Sequence, residues 1–564
     1  MTPGRPLAKS LLGAAVVMLL ATGCPGGAGE GKAVPTSPRA QTRVAGGTLN
    51  VLMHADFEHL DPARNYVAQG LDFGRLLYRS LTTYKSEPGG VGTDVVGDLA
   101  TDAGTIGAGG TSWKFTLRPG LRYEDGTVIK AADVKYGVER AFDPELNEGP
   151  QYIQLLLANV PPGYQGPKKS GKSLSSIVVQ GNTITFQLKR AVSDFNYATT
   201  EPTTVPVPRT RDTGVRYDDR VFSSGPYKID RYERGKTLTL SRNVYWDRRT
   251  DPVRGAYPDT IVCSFGLDTA TIDQRLIADS GPDKAAIELG TPLAPESIAQ
   301  ALSNAAVKSR SVRGLNGHLS YLAINTKKVP KLEVRQAINY AVNREAYRIA
   351  RGGRTAGDYA TTIMTPLLPG YHAYDLYKAR PQGDPDKAKR LLQQAGVPLP
   401  LKLTVASSSI GMGVAQAVAL QSALKRAGID LEIQAVPPGV YYGTIGDVTK
   451  MPELAFSTWG PDWPSGSTVL PPQFDGRQIR AKGNTNLSQL NNPAINAEID
   501  RISAIRDPKQ QAPEWSKLDE QIMGLAPIVP LLYNAGIHVR GSKIRGAYLH
   551  AFYGEWDVVS LSVG

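Results

Sequence analysis

Residues 111–126 read TSWKFTLRPGLRYEDG, and residues 131–142 read AADVKYGVERAF. Residues 111–117 alternate polar and apolar, the period of a strand with one buried face, and stop at Arg118-Pro119-Gly120, a turn composition. Asp125-Gly126 supplies a second turn. Beyond it Val134, Val138 and Phe142 recur at i, i+4 and i+8, one face of a helix. Trp113 and Phe115 are expected in a core rather than against a ligand. Asp133 suits a first helical turn, where a carboxylate meets the positive end of the helix dipole.

Working outward, residues 47–54 (GTLNVLMH) alternate as a first strand, broken by Leu60-Asp61-Pro62, and residues 67–78 have helical spacing. Residues 177–188 (IVVQGNTITFQL) are two alternating runs around Gly181-Asn182, a hairpin. Residues 236–241 and 260–265 add strands. From residue 294 onward helices and strands alternate: helical spacing over 332–349 and 385–395, a strand at 401–406, a helix at 413–427, a strand at 429–435. Strand, helix and strand in so short a span form a βαβ-type unit. No repeat of fixed period is visible. The chain reads as an α/β protein with a β-rich insertion between about 75 and 215.

At the start, Arg5 and Lys9 precede an apolar run at 11–21 and then Thr22-Gly23-Cys24, the layout of a secretory signal peptide. The run is about half the length a bilayer-spanning helix needs. Leu20-Ala21-Thr22-Gly23-Cys24 resembles a bacterial lipobox, with Ala21 where Leu is usual; cleavage after residue 23 would leave a lipidated Cys24. Residues 25–46, rich in Gly, Pro, Ala and Ser/Thr, cannot bury enough surface to fold and should be a tether.

The chain has two cysteines, so with Cys24 lipidated Cys263 has no intramolecular partner. The remaining ~520 residues exceed one hydrophobic core, and two or more lobes are expected. No further stretch reaches 18 apolar residues. The formal charge of +12 falls to +10 when residues 1–23 take away Arg5 and Lys9 and no acid. Lys and Arg are scattered singly and no base-reading motif appears. The charge therefore points to an anionic lipid or wall surface and not to nucleic acid.

Several segments recur in one known order. They are Trp113 to Gly126 with Ala131-Ala132-Asp133-Val134; Ser224-Gly225-Pro226-Tyr227 ending in Arg242-Asn243-Val244-Tyr245-Trp246; Leu322-Ala323-Ile324-Asn325-Thr326 with Val334-Arg335-Gln336-Ala337-Ile338; Trp459-Gly460-Pro461-Asp462-Trp463; and Pro527-Ile528-Val529-Pro530-Leu531. Together they resemble the bacterial extracellular solute-binding proteins, family 5, that serve oligopeptide, dipeptide and nickel importers. The resemblance implies a two-lobed, periplasmic-binding-protein-like α/β fold closing about a hinge. Lobe I would take 47–316 and 531–564, with the insertion at 75–215 as its subdomain, and lobe II 317–530. It implies a monomeric lipoprotein on the outer face of the cytoplasmic membrane, handing a peptide-like solute to ABC permease subunits with a separate ATPase. A ligand-sensing receptor of the same fold, or a non-peptide solute such as a nickel chelate, sugar or siderophore, stays open beside it.

No enzyme constellation competes. Gly166-Pro167-Lys168-Lys169-Ser170-Gly171-Lys172-Ser173 satisfies the phosphate-loop spacing, but a hairpin follows where that motif needs a helix. Ser422-Ala423-Leu424-Lys425 has the S-x-x-K spacing inside an amphipathic helix, without a later K-T-G. The six histidines (His54, His59, His318, His372, His538 and His550) form no close pair, so no metal site and no cofactor is expected. Residues 456–467 (FSTWGPDWPSGS) differ: two indoles flank one carboxylate in a Gly/Pro-rich loop after an apolar run. Loops on rigid scaffolds concentrate ligand contacts. In peptide-binding family members the corresponding Asp pairs with the ligand's terminal ammonium; the resemblance gives that role to Asp462, with Trp459 and Trp463 walling the pocket. The alternative is a Trp pair capping a core and an Asp ordering the turn. Tyr441, Tyr442 and Tyr66 are further ligand candidates.

Overall fold

The computed structural model describes residues 42–564, apart from 147 and 410. The signal peptide, Cys24 and most of the tether therefore lie outside the described residues.

The alternating run at 111–117 is the strand Ser112–Thr116, with Trp113 and Phe115 pointing inward and almost wholly buried. It pairs antiparallel with Thr183–Gln187, which pairs with Ile177–Gln180 through the two-residue turn at Gly181-Asn182. Gly181 has φ +58°, a conformation that costs a side chain and not a glycine. Thr105–Ile106 completes this four-stranded sheet. The helix Ala131–Arg140 follows, and Asp133 accepts from the Lys130 N–H, satisfying one of the helix's free amides. Val134 and Val138 pack with Trp113, Phe115, Phe186 and Phe195 in one core, each large side chain contributing about 1.5–3 kcal/mol of burial.

A five-stranded sheet forms the base of one lobe, in the order Ala286–Glu288, Thr48–Leu52, Thr260–Ser264, Thr237–Arg242, Tyr227–Glu233. Its first three strands run parallel and the rest antiparallel. Phe222 packs against both this core and the four-stranded sheet's core, joining the two.

The other lobe is built on six strands in the order Gly357–Tyr359, Ile528–Val539, Ser311–Ile324, Leu454–Trp459, Leu401–Ser408, Ile429–Val436. Leu401–Ser408 and Ile429–Val436 pair in parallel in register from Leu401↔Ile429, with Met412–Arg426 as the crossover helix, the βαβ unit that the spacing implies. The helical run at 332–349 is in fact two helices, Leu332–Ala341 and Arg344–Ala350. Asn343 stops the first and caps the second, its side chain accepting from the Ala346 N–H.

Two long strands, Ser311–Ile324 and Ile528–Val539, pair antiparallel from Ser311↔Val539 to Ala323↔Ile528. Their pairing slips between Leu315 and Leu319 and again between Ser320 and Tyr321. At the far end the Leu293 N–H donates to the Ile537 carbonyl, and Ile287 bridges Arg540, so this ribbon ties the six-stranded sheet to the five-stranded one.

Candidate ligand cleft

The strand Leu454–Trp459 ends in the loop that carries Asp462, and the loop is fastened internally. The Trp459 indole N–H donates to the Thr468 carbonyl at 3.0 Å, and the Thr468 hydroxyl donates to the Trp463 carbonyl at 2.9 Å. Trp463 leaves its own lobe and enters the core of the four-stranded sheet, where it is 5 % exposed. Its ring meets Tyr152 edge-on at 4.8 Å, and its N–H donates to Asp194 Oδ2 at 2.9 Å. The Ser467 hydroxyl donates to the same oxygen at 2.6 Å.

Asp462 itself is partly buried. The Tyr66 hydroxyl donates to its Oδ1 at 2.6 Å, and Tyr152 stands 3.5 Å from the Tyr66 hydroxyl. Burial raises the Asp462 pKa, and hydrogen bonds from Tyr152 and Tyr66 oppose the rise. Among the described residues no Lys, Arg or His forms an ion pair with Asp462. Beside it lies a cavity of about 720 Å³, lined among others by Tyr152, Asp194, Asp462, Trp463, Arg477 and Asp500. Glu201, 4 % exposed, has its pKa pushed up to about 8 by burial and by the Asp462 charge.

The structure thus brings Asp462, Trp463 and Tyr66 together, with Trp459 bracing their loop. Tyr441 and Tyr442 line a separate pocket of about 260 Å³ with Tyr347, Arg351, Ser408 and Gln416. The Tyr441 hydroxyl donates to the Phe456 and Ala406 carbonyls, a tie to the sheet, while Tyr442 is largely exposed. Tyr152 and Asp194 carry no motif and join the site only by folding.

The remaining patterns resolve as follows. The phosphate-loop spacing falls on a five-residue helix, Gly166–Ser170; Lys168 pairs with Asp212, and Lys169 with Asp143 and Glu145. Ser422 and Lys425 are exposed on Met412–Arg426. His538 lies with Glu288 and Glu555, their ligand-type atoms all within 4.8 Å of one another, a cluster that three positions so far apart in sequence could not reveal. Its imidazole Nδ1 is 2.8 Å from Glu288 Oε1, which also accepts from the Trp556 N–H. Burial disfavours the His538 proton, but Glu288 outweighs it and raises the pKa, so the cluster reads as a buried ion pair.

The family model for bacterial extracellular solute-binding proteins, family 5 Middle, matches residues 94–480. The chain belongs to family 5 of the bacterial extracellular solute-binding proteins. As a family 5 chain it is a solute-binding protein of the kind that hands its ligand to an ABC importer. It is 22 % identical over 532 residues to the glutathione-binding protein GsiB of Escherichia coli O6:K15:H31 (strain 536 / UPEC), covering 92 % of this chain and 94 % of that one. Among solved structures it is similar to the clavulanic acid biosynthesis oligopeptide binding protein 2, with 34 % identity, a TM-score of 0.87, and coverage of 93 % and 97 %. The unliganded open form of the periplasmic murein tripeptide binding protein MppA shares the two-lobed fold at 20 % identity, with a TM-score of 0.74 and coverage of 92 % and 98 %.

Proposed function

We propose that this family 5 chain captures a peptide-like solute by its terminal ammonium at Asp462 and delivers it to the permease of an ABC importer. The carrying observation is a carboxylate held by two tyrosine hydroxyls, secluded beside a large cavity, with no protein cation paired to it among the described residues. A buried charge without a partner is costly, and a ligand ammonium supplies one. The similar proteins are named for an oligopeptide, a murein tripeptide and glutathione, all peptide-like. Trp463 and Trp459 exclude water from the carboxylate, and Tyr66 faces the ligand's amino end. Tyr441 and Tyr442 contact a more distant part of the ligand from their own pocket.

The lobes move about the paired strands, with crossings near 316 and 530; the slipped pairing at Leu315–Leu319 supports a bend there. The protein acts as a monomer, anchored outside the cytoplasmic membrane through lipid on Cys24. Cys24→Ser should release it from the membrane fraction of a native-like host, and unchanged partition would overturn the anchor.

Titration calorimetry with a tripeptide and its amino-acetylated form tests the ligand reading. Truncating one partner of a desolvated charge pair costs about 2–5 kcal/mol. Asp462→Ala should therefore bind ~30- to ~4000-fold more weakly, at about 1.4 kcal/mol per decade. Acetylation should cost a similar factor. Near-native affinity in either arm would overturn the ammonium site.

A further inference from the structure

Among the described residues no Asp or Glu pairs with Arg351, a half-buried cation just past the helix Arg344–Ala350. It lines the pocket of about 260 Å³ that also holds Tyr441 and Tyr442. Its Nη1 donates to Ser320 Oγ at 3.1 Å, and that hydroxyl donates onward to Asn534 Oδ1 at 2.7 Å, which ties the guanidinium to the two long paired strands. Its Nε is buried without a hydrogen-bond partner, a donor that the fold itself leaves unsatisfied. The nearest acid on the preceding helix, Glu345, is taken by Arg348 and the Tyr359 hydroxyl. No Asp or Glu is among the described residues that line the pocket.

The pocket also has the topology of a ligand site. Ser408 ends the strand Leu401–Ser408, and Thr458 stands one residue from the end of Leu454–Trp459; the two strands run parallel through Val405↔Leu454 and Ala406↔Ala455. Ligands of α/β sheets gather outside such carboxyl ends. Gly413 and Gln416 bring the start of the crossover helix Met412–Arg426 to the same space. That helix has no acidic residue in its first turn and no side-chain cap among the described residues, so its positive end is unanswered. The guanidinium and the helix start favour the same sign of ligand charge. Thr458 precedes Asp462 by four residues, at most about 14 Å between Cα atoms, a span that an extended peptide of about three or four residues covers.

We propose that the Arg351 pocket is a carboxylate-binding site, with Arg351 as its recognising residue and the start of Met412–Arg426 as a second source of positive potential. This deepens the proposed function and rests on its reading of a peptide-like solute, whose more distant part it puts in this pocket. The solute then carries opposite charges at its two ends, an ammonium at Asp462 and a carboxylate at Arg351. The carboxylate belongs to the peptide's terminus or to an acidic side chain. A guanidinium holds either in parallel hydrogen bonds, which an ammonium of the same charge cannot copy.

The test is calorimetry of the purified protein at pH 7 with Ala-Ala-Ala, its carboxy-terminal amide, Ala-Glu-Ala amide, and benzoate as a bare carboxylate. Where the terminus is the source, amidation of Ala-Ala-Ala should weaken binding about tenfold to about a hundredfold, the range of a charge-assisted hydrogen bond. Where a side chain is the source, Ala-Glu-Ala amide should bind more tightly than Ala-Ala-Ala amide by the same factor. Arg351→Gln should erase whichever difference is seen. Arg351→Lys should keep part of it, and decides the assignment should the Gln variant fail to fold. Equal affinity for all three peptides, read on the unaltered protein, would overturn the Arg351 site and leave the Asp462 anchor standing. A difference that persists undiminished in both variants would also overturn Arg351. Benzoate binding that is lost in Arg351→Gln, without any peptide binding, would keep the carboxylate site and overturn the peptide reading. Silence from every probe would overturn both.

Discussion

The Tyr66 hydroxyl donates to Asp462 Oδ1 at 2.6 Å across 396 positions of sequence. Tyr66 follows the first strand of the five-stranded sheet, and Asp462 ends a strand of the six-stranded one, so this bond exists only when the two lobes face each other. It is a closing contact made by the residue that the ligand is proposed to use.

Tyr66→Phe should therefore open the unliganded protein. A hydrogen bond to a charged group is worth about 1.5–3 kcal/mol, which falls here on the closed state alone. The closed-to-open ratio should drop by about tenfold to a hundredfold. Paired spin labels, one in each lobe, read the distance distribution directly. An unchanged distribution would show that the bond does not bias closure.

Trp463 makes a larger claim on the same equilibrium. Its indole is buried in the core of the four-stranded sheet while its backbone belongs to the opposite lobe. Losing a buried Trp costs about 3–5 kcal/mol, again charged to the closed form. Trp463→Ala should show a larger radius of gyration by small-angle scattering and should not close fully at saturating ligand. Trp463→Phe keeps much of the burial but cannot donate to Asp194, so it should fall between.

Glu201 supplies a pH signature of the fold itself. Its folded pKa, about 8, stands above the unfolded value near 4.3. The folded state thus holds the proton more tightly. The stability this contributes is complete below the unfolded pKa and is lost as pH rises through about 8. Glu201→Gln, which cannot ionise, should match the parent's melting temperature at pH 5 and exceed it at pH 9. A parallel pH dependence in the two proteins would show that Glu201 is not buried as described.

Much of this molecule was legible in its sequence because local chemistry and tertiary structure agree. The 111–126 stretch alternates and turns where the strand and turns lie, and the 401–436 unit follows its own periodicity. Asp133 caps the helix that its position suggested. The break at Asn343 was obscured because apolar spacing carries on across it, while a single side-chain cap decides the boundary. In the cleft, Asp462 and its two indoles stood out as a local motif. Tyr152 and Asp194 did not, since each is ordinary among its neighbours and meets the loop only through folding. The same holds for His538 with Glu288 and Glu555.

The buried ion network of Arg79, Asp98, Asp251 and Arg254 gives a prediction independent of ligand. Asp98 accepts from Arg79 Nε at 2.6 Å and from Arg254 Nη2 at 2.7 Å, and Arg254 also pairs with Asp251 at 3.1 Å; all four side chains are almost wholly buried. Burial alone would raise the Asp251 pKa, but Arg254 and Arg79 hold it well below the usual carboxylate range. Two guanidiniums are thus balanced by two carboxylates with little water to help. Removing one partner of such a set costs about 3–5 kcal/mol, because the charge left behind stays buried. Asp98→Asn should lower the unfolding free energy obtained from urea titration by that amount while leaving the affinity for the ligand of the folded protein near its parent value, since Asp98 takes no part in the Asp462 site. Replacing Arg254 by Met in the same chain should recover part of the loss, because the excess positive charge then disappears. Full additivity of the two substitutions, measured as a double-mutant cycle in urea, would show that Asp98 and Arg254 do not act as a pair.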